Sequence, residues 1–404
     1  MFLGSSTQAS GDLQKWATEL QKSASQRNGQ KFNQRLFTPL KRADLVSATP
    51  NNLHKMLATG RTEFVTDYIL FLRAREIAQN EVGALQSLAS FVRKVTSVYA
   101  ETEEEDGNDG SWLFPVFAHA VVWLRKFATK IDAESTTKWR KTVVEVFREI
   151  FPKLLKQKNR LPGTCWLICQ LLCLYIELDQ VKLCAHLLAA LTQSLAKEGG
   201  FDPESVPKSV SVTLFYYWGR FHVMESKFTE AKEKLEWAFV HCHEDSSNKA
   251  RIAEYLIPCM IASGVFPKTD LIRECGMGHL VNLVDAVKSG DVETYNAEIV
   301  KRMPTLAKSG TLILLEKCKL ICYRNLTKRI AYILAEGSSD AFKLDIDAFA
   351  AVWHWLEKAD KNETLCALAD LIYAGAIKGY LAPDHNKLVL SKATPFPPLD
   401  QVVG

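Results

Sequence analysis

The strongest constraint on the fold lies near residues 363–392, where the repeat of apolar residues changes its period. Apolar residues recur first at the spacing of an amphipathic helix: Leu365, Leu368, Ala369, Ile372 and Tyr373. Gly375 follows them and suits a left-handed helix end. Residues 377–381 and 387–391 then alternate like short strands, and residues 383–386 (PDHN) supply turn chemistry between them. A helix followed by a tight β-hairpin predicts the end of a winged-helix domain.

Almost all of the chain before this stretch has helical patterning, so the predicted fold class is mainly α. The sequence predicts N-terminal helical repeats over residues 1–209 and a tetratricopeptide-like helical part over residues 210–340. The winged helix then covers residues 341–394, and residues 395–404 form a C-terminal tail. Residues 101–110 (ETEEEDGNDG) contain no apolar residue, which predicts a disordered acidic loop inside the first part.

One helix pair has the residue pattern of a tetratricopeptide unit. Seven residues occupy the small and large positions of such a unit: Phe215, Trp218, Gly219, His222, Ala231, Leu235 and Ala238. The small residues let two antiparallel helices approach closely, and the large ones fill the groove between them. One unit cannot bury its own apolar face, so neighbouring helix pairs must stack on it. A long apolar helix over residues 312–334 is then expected to join these repeats to the winged helix.

Composition limits the classes of function. A chain of 404 residues with 47% hydrophobic and 24% charged residues is typical of a globular protein. The net charge of +4 is small, so any nucleic-acid binding must come from local clustering. No apolar run reaches membrane-spanning length, and no signal peptide is expected. Ten cysteines lie along helical stretches without a CxxC pair, which predicts buried thiols in the cytosol or nucleus.

The sequence predicts neither catalytic residues nor a metal site. Phosphate-binding, dinucleotide-binding, zinc-protease and serine-hydrolase motifs are all missing from it. His241, Cys242 and His243 form the one tight cluster of potential ligands, but neighbouring helical residues point about 100° apart and cannot chelate one ion. Trp353 and Trp355 could stack on bases, although tryptophans on an apolar helix are more often part of a core.

Basic residues form the candidate nucleic-acid site. One side of the long helix is expected to carry Arg324, Lys328 and Arg329. The predicted wing strands carry Lys378 and Lys387, and Lys392 comes just after them. Such residues supply affinity for phosphates without reading sequence. The helix before the wing carries no Arg or Lys after residue 363, so specific major-groove readout is not expected. Simple solvent exposure, or pairing with carboxylates of a partner protein, remains an alternative for these residues.

Several C-terminal segments resemble a known family. They read YWGR at residues 217–220, YRNL at 323–326, IKGY at 377–380, and LSK at 390–392 followed by PFPPL at 395–399. With this layout the chain resembles the PCI-domain proteins, which are scaffold subunits of the proteasome lid, the signalosome and a translation initiation complex. It is similar above all to the PCI subunits of the second nuclear transcription-and-export complex and to their signalosome-associated paralogues. The resemblance covers about residues 210–400, and the N-terminal half shares only helical character.

The resemblance implies a non-enzymatic scaffold subunit, without a cofactor, in a nuclear complex that couples transcription to mRNA export. Its winged helix would pair with a larger PCI-containing export scaffold protein, together with a small acidic protein that the proteasome lid shares. The joined winged helices would bind RNA or DNA nonspecifically through the six basic residues. The implied location is the nucleus, including the nuclear pore, with a cytoplasmic share. A signalosome-associated subunit acting in transcription or splicing, or a proteasome-lid-type scaffold, stays open as an alternative.

Two departures from the family pattern bear on phosphate binding. Asp370 stands where the family usually has Asn, and Ala382 with Pro383 replaces Ser-His at the wing turn. An acidic residue near the groove and a proline in the wing would both weaken contacts with phosphate.

Overall fold

The computed structural model describes residues 11–48, 64–103, 108–134, 139–196, 199–244, 246–336 and 342–399. Over these residues the fold is mainly α-helical, with eighteen α-helices and few strands, which confirms the predicted class. The chain divides into two compact units, residues 1–214 and 215–404. Within the described ranges, no helix has the length and apolarity that a membrane crossing requires.

The first unit is built from successive helices. In chain order these are α1 (Gly11–Ser25), α2 (Gly29–Leu36), α3 (Arg42–Ser47), α4 (Phe64–Glu76), α5 (Glu81–Ala100), α6 (Phe114–Glu134), α7 (Trp139–Leu155), α8 (Leu161–Glu177) and α9 (Val181–Leu195). Proline stands in the first turn of α8, where its missing N–H removes no helical hydrogen bond. The side chain of Asn80 accepts the Gly83 N–H and so caps the start of α5.

Aromatic residues of α4, α5 and α6 fill the centre of the first unit. The rings of Tyr68 and Phe91 lie 5.5 Å apart, and those of Tyr99 and Phe117 stack at 5.1 Å. Such pairs add to the free energy gained by burying apolar area. Helix α1 packs on this unit through four apolar residues that are all buried: Leu13, Trp16, Ala17 and Leu20.

The acidic stretch over residues 101–110, predicted to be a disordered loop, is described only at its two ends. Two short strands, β1 (Thr102–Glu103) and β2 (Asn108–Asp109), pair antiparallel across it, and residues 104–107 between them lie outside the described part. The disordered loop therefore stays a prediction for residues 104–107. Backbone pairing needs no apolar side chain, so composition alone does not reveal a two-residue ladder.

The second unit begins inside α10 (Lys208–Met224), close to the predicted boundary at residue 210. Its further helices are α11 (Phe228–His241), α12 (Ser247–Ala262), α13 (Thr269–Glu274), α14 (Val281–Ser289), α15 (Val292–Ser309) and α16 (Leu312–Ala335). The tetratricopeptide-like pair is present: a Cβ on Gly219 would lie 2.6 Å from Leu235 Cγ, so glycine permits the close approach of α10 and α11. Ala231, Leu235 and Ala238 are fully buried.

A tight turn joins α14 to α15. Gly290 ends α14 in the left-handed conformation with a φ of 75°, and the Asp291 side chain accepts the Thr294 N–H to cap α15. The turn packs against α16, since a Cβ on Gly290 would lie 2.4 Å from the Leu326 nitrogen. Only glycine satisfies both the backbone conformation and this contact.

The predicted winged helix follows α16. It consists of β3 (Lys343–Asp345), α17 (Ile346–Glu357), α18 (Lys361–Tyr373), β4 (Gly379–Ala382) and β5 (Lys387–Leu390). The antiparallel sheet has the order β3-β5-β4, with Leu344 opposite Leu388 and Tyr380 opposite Val389. Strand β3 was not predicted. Asp360 and Glu363 form a reciprocal capping box at the start of α18, and Gly375 beyond its end has the expected left-handed φ of 70°.

The buried face of α18 is rotated from the predicted apolar stripe. Thr364, Leu368 and Leu371 face the core, whereas Ala369 is exposed and Tyr373 is 96% exposed. Helical spacing identifies the apolar stripe, but it does not show which of its residues the rest of the protein buries. Because α18 lies at the surface of the unit, only one edge of the stripe contacts the protein interior.

Candidate nucleic-acid interface and docking face

Arg324 was predicted to contact phosphate, but it lies inside the fold and is only 6% exposed. Its guanidinium donates to the Asn325 side-chain oxygen and to the Pro397 carbonyl oxygen, each at 2.8 Å. Burial lowers the pKa of this guanidinium. The expectation of a surface position is therefore wrong for Arg324, because the C-terminal segment folds back over this turn of α16 and accepts a hydrogen bond from its guanidinium.

That C-terminal segment, residues 395–399, is called the strap. The Pro395 carbonyl oxygen accepts the Lys378 N–H at 2.8 Å, and Pro397 is buried. At its far end, the Leu399 side chain lies against Gly264, where an added Cβ would come within 2.3 Å of Leu399 Cβ. The strap therefore connects α16, the start of the wing and the end of α12. The sequence of the strap, PFPPL, carries no signal of the surface on which it packs.

The other two basic residues of α16 remain at the surface. Lys328 is partly exposed, and its ammonium lies 5.6 Å from the centre of the Tyr332 ring. Arg329 is exposed and donates to the Ser289 carbonyl oxygen at 2.9 Å. Both retain charge that a phosphate could contact, although one donor of Arg329 is already used.

Within the wing, Lys387 is partly neutralised. Its ammonium lies 3.1 Å from a carboxylate oxygen of Asp345 on β3. The Asp347 N–H and the Lys387 ammonium both donate to Asp345, and they lower the pKa of that carboxyl. Asn386, with a φ of 52°, donates to Asp345 and Asp347 at 2.9 and 2.8 Å. This network orders the wing, and it leaves Lys387 less available to a phosphate than an unpaired lysine would be.

Lys378 and Lys392 both have exposed side chains. The backbone N–H of Lys378 binds Pro395, and its carbonyl oxygen accepts the Ser391 N–H at 2.8 Å. The main chain at Lys378 is thus fixed while its ammonium is directed to solvent. Of the six predicted residues, the structure brings Lys328, Arg329, Lys378 and Lys392 to the surface near α16 and the strap. Lys387 lies in the wing network, and Arg324 is internal.

A carboxylate that sequence reasoning missed holds the winged helix on the repeats. Glu357, at the end of α17, accepts hydrogen bonds from Tyr323 Oη at 2.5 Å, Asn296 Nδ2 at 2.7 Å and Lys319 Nζ at 2.9 Å. Burial by itself raises the pKa of the carboxyl, but the three hydrogen bonds outweigh it and lower the pKa. Glu357 therefore links α15, α16 and α17, and no local sequence signal marks it.

The outward side of α18 is apolar and is called the docking face. It is formed by two partly exposed and two exposed residues: Leu365, Ala369, Ile372 and Tyr373. On the edge strand β4, Tyr380 is also 60% exposed. Scattered exposed apolar residues are ordinary, but a contiguous helix face of them is typical of a protein–protein contact. Asp370 is exposed on the same helix, so this face is poorly suited to phosphates.

The residues considered as metal ligands or as base-stacking groups do not form a site. Over the described residues, no group of three or more His, Cys, Asp or Glu side chains could hold a metal ion. The His241 ring stacks on Trp237 at 4.0 Å, and Cys242 is buried. Trp353 is buried as expected. Trp355 is 70% exposed, so the prediction of a core position is wrong for this residue. Eight cysteines are buried as predicted, whereas Cys366 is exposed and Cys275 partly so.

Known proteins share much of this sequence. No protein-family profile matches the chain. It is similar to PCI domain-containing protein 2 of Xenopus laevis, with 30% identity over 308 residues that cover 72% of this chain and 74% of the relative. The protein of the same name from Danio rerio has the same identity and coverage. Enhanced ethylene response protein 5 of Arabidopsis thaliana is 29% identical over 301 residues, 72% of each chain.

Proposed function

Since this chain belongs to the family of PCI-domain proteins, we propose that it is a non-enzymatic scaffold subunit of a nuclear complex that couples transcription to mRNA export. Membership of this family supports the role of a scaffold subunit. The finer assignment is supported by the segments YRNL, IKGY and PFPPL, which resemble the PCI subunits of the export complex. The proposed partners are a larger PCI-containing scaffold protein and a small acidic protein shared with the proteasome lid.

The observation that carries this proposal is the docking face on α18. Tyr373 is almost completely exposed, and Leu365, Ala369 and Ile372 are exposed or partly exposed on the same helix, which begins with a capping box. Water contact with this face is unfavourable, and covering it with a second winged helix would remove that cost. The edge strand β4 also has unpaired backbone groups on its outer side, which a partner strand could satisfy.

Partner capture tests the proposal. The tagged full chain, incubated with nuclear extract, is expected to recover a large PCI scaffold protein and the small acidic protein, identified by mass spectrometry. The double change Tyr373→Ala and Tyr380→Ala is expected to weaken recovery about tenfold or more, because central aromatic residues carry much of an interface's binding free energy. Ile313→Ala is the matched control, since Ile313 is similarly exposed but lies outside the winged helix.

Other outcomes of this capture would redirect the proposal. Recovery of signalosome subunits together with the large PCI protein would favour the paralogous role in transcription or splicing. Recovery of only proteasome-lid or initiation-factor subunits would refute the export assignment. Equal recovery by the tyrosine variant and the Ile313 variant would remove the docking face from the partner contact.

We also propose that the assembled subunit binds RNA or DNA without sequence preference. The residues that would contact phosphate are Lys328, Arg329, Lys378, Lys387 and Lys392. Lys378 carries the most weight because its main chain is fixed and its ammonium faces solvent. Lysine contacts of this kind give affinity that falls with salt and do not read bases.

Charge reversal at two lysines tests the phosphate contact. The double change Lys378→Glu and Lys387→Glu is expected to lower affinity for RNA at least tenfold at low salt and to reduce the salt dependence of binding. Fluorescence anisotropy of the assembled complex measures both quantities, and circular dichroism checks that the fold is kept. Unchanged affinity combined with lost partner recovery would instead place these lysines in the protein interface.

A further inference from the structure

An exposed aromatic pair lies beside the basic residues of α16. Tyr332, on the last turns of α16, is 55% exposed. The ring of Phe396, on the strap, is half-buried, and its centre lies 6.2 Å from that of Tyr332 with the two planes 55° apart. These two rings with Lys328 are called the Tyr332 platform. Neither aromatic residue belonged to the predicted site.

Contacts of the neighbouring strap residues fix the position of Phe396 in the platform. Phe396 precedes Pro397, whose carbonyl oxygen accepts a hydrogen bond from the buried Arg324. The Arg324 guanidinium carbon also lies 5.8 Å from the centre of the Phe396 ring. On the other side of Phe396, Pro395 is bonded to the Lys378 N–H. Phe396 is thus anchored on both sides along the chain, and Tyr332 rests against it from a regular helix.

The surroundings of the platform are cationic. The Lys328 ammonium lies 5.6 Å from the Tyr332 ring centre, and Arg329 is exposed on the next position of α16. Lys378, whose backbone N–H binds the strap, and Lys392 are also exposed. The two stretches of chain that form the platform carry few acidic residues of their own, since residues 320–336 contain only Glu336 and residues 375–399 contain only Asp384. The exposed cations therefore favour an anionic ligand at this surface.

We propose that Tyr332, supported by Phe396, stacks on a base of single-stranded nucleic acid while Lys328 and Lys378 contact its phosphates. This inference rests on the proposed nucleic-acid binding and specifies its substrate class. Aromatic rings next to cations suit single strands, because their bases offer free faces and their backbone offers negative charge. A duplex hides those faces in its own stack, so the platform would prefer single strands. Stacking does not discriminate strongly among bases, which fits binding without sequence preference.

Binding of labelled oligonucleotides by the full chain and by its partner complex tests the platform. The probes are oligo-uridine of about 20 nucleotides and an RNA duplex of the same length. Tyr332→Ala is expected to weaken oligo-uridine binding roughly tenfold and to leave duplex binding unchanged. Tyr332→Phe retains the ring and is expected to bind like the unmodified chain. Ile333→Ala removes a neighbouring exposed apolar side chain without an aromatic face and is expected to have no effect.

Each contrary result has a distinct meaning. If Tyr332→Ala binds oligo-uridine as tightly as Tyr332→Phe, the stacking role is overturned, while the effect of reversing Lys378 and Lys387 still stands. Equal weakening of single-strand and duplex binding also overturns it, because loss of a base face does not affect a duplex. Loss of partner recovery without loss of oligonucleotide binding identifies Tyr332 as a protein contact and overturns it too. If neither probe binds the unmodified complex, the proposed nucleic-acid function fails together with the platform.

Discussion

Replacing Gly290 by alanine is expected to lower the free energy of unfolding of the second unit by about 3–4 kcal/mol. Its φ of 75° is left-handed, which costs a residue with a side chain about 1–2 kcal/mol. The added Cβ would also come within 2.4 Å of the Leu326 nitrogen and 2.8 Å of the Asn325 carbonyl carbon. Those are backbone atoms of α16, so the steric clash can be relieved only if the turn and the helix move apart. Urea unfolding of the full chain, followed by circular dichroism, measures the loss.

Gly310 provides the matched control. It ends α15 in the same left-handed conformation, with a φ of 79°, but an added Cβ would meet no atom within 4 Å. Gly310→Ala is therefore expected to cost only the conformational part, about 1–2 kcal/mol. Similar losses for the two alanine variants would contradict the close packing of the Gly290 turn on α16.

Arg324→Ala is expected to destabilise the second unit by about 2–3 kcal/mol and to release the strap. The change removes two hydrogen bonds from a buried guanidinium and leaves the Pro397 carbonyl without this donor. Release of the strap exposes the Lys378 N–H, because its acceptor is the Pro395 carbonyl oxygen. Hydrogen–deuterium exchange at that amide, read by mass spectrometry, should therefore become faster. Arg324→Lys should recover only part of the lost stability, since a single ammonium cannot reproduce the two donors of the planar guanidinium.

Arg329→Ala is the comparison for this second experiment. Arg329 is also an arginine of α16 that bonds to a carbonyl oxygen, but it is exposed, so its removal should cost less than about 1 kcal/mol. It should also leave exchange at Lys378 unchanged. If the Arg324 and Arg329 variants behave alike, Arg324 does not anchor the strap. If Arg324→Ala weakens RNA binding but does not speed exchange at the Lys378 amide, Arg324 contacts phosphate and does not anchor the strap.

Local signals allowed much of this fold to be predicted. The switch from helical to alternating spacing near Gly375 marks the winged end, because it depends only on neighbouring residues. Gly219 and Leu235 identified a close helix pair through the sizes of their side chains. Strand β3 was missed because three residues before a helix resemble an N-cap region. Its strand character comes from pairing with β5, which lies more than forty residues later in the chain.

The candidate site could be predicted only in part, for a different physical reason. Arg324 and Lys328 are one helical turn apart and look equivalent in sequence, yet the strap covers one and leaves the other at the surface. Tyr373 belongs to the apolar stripe of its helix, but helical spacing alone does not show whether such a residue faces the interior or the surface. Tyr332 and Phe396 meet across more than sixty residues of chain, and no local pattern predicts that contact.

The strap also constrains the order in which the second unit can fold. Gly264 emerges early during synthesis of this unit, but its contact, Leu399, follows more than a hundred residues later. Closing so long a loop has a high entropic cost, and contacts of this separation form slowly. The helices up to α16 can form and pack first, and the strap then closes over Arg324 as one of the final steps. A nascent chain would therefore hold a basic, incompletely covered α16 for a period in which a chaperone or an early-binding partner could engage it.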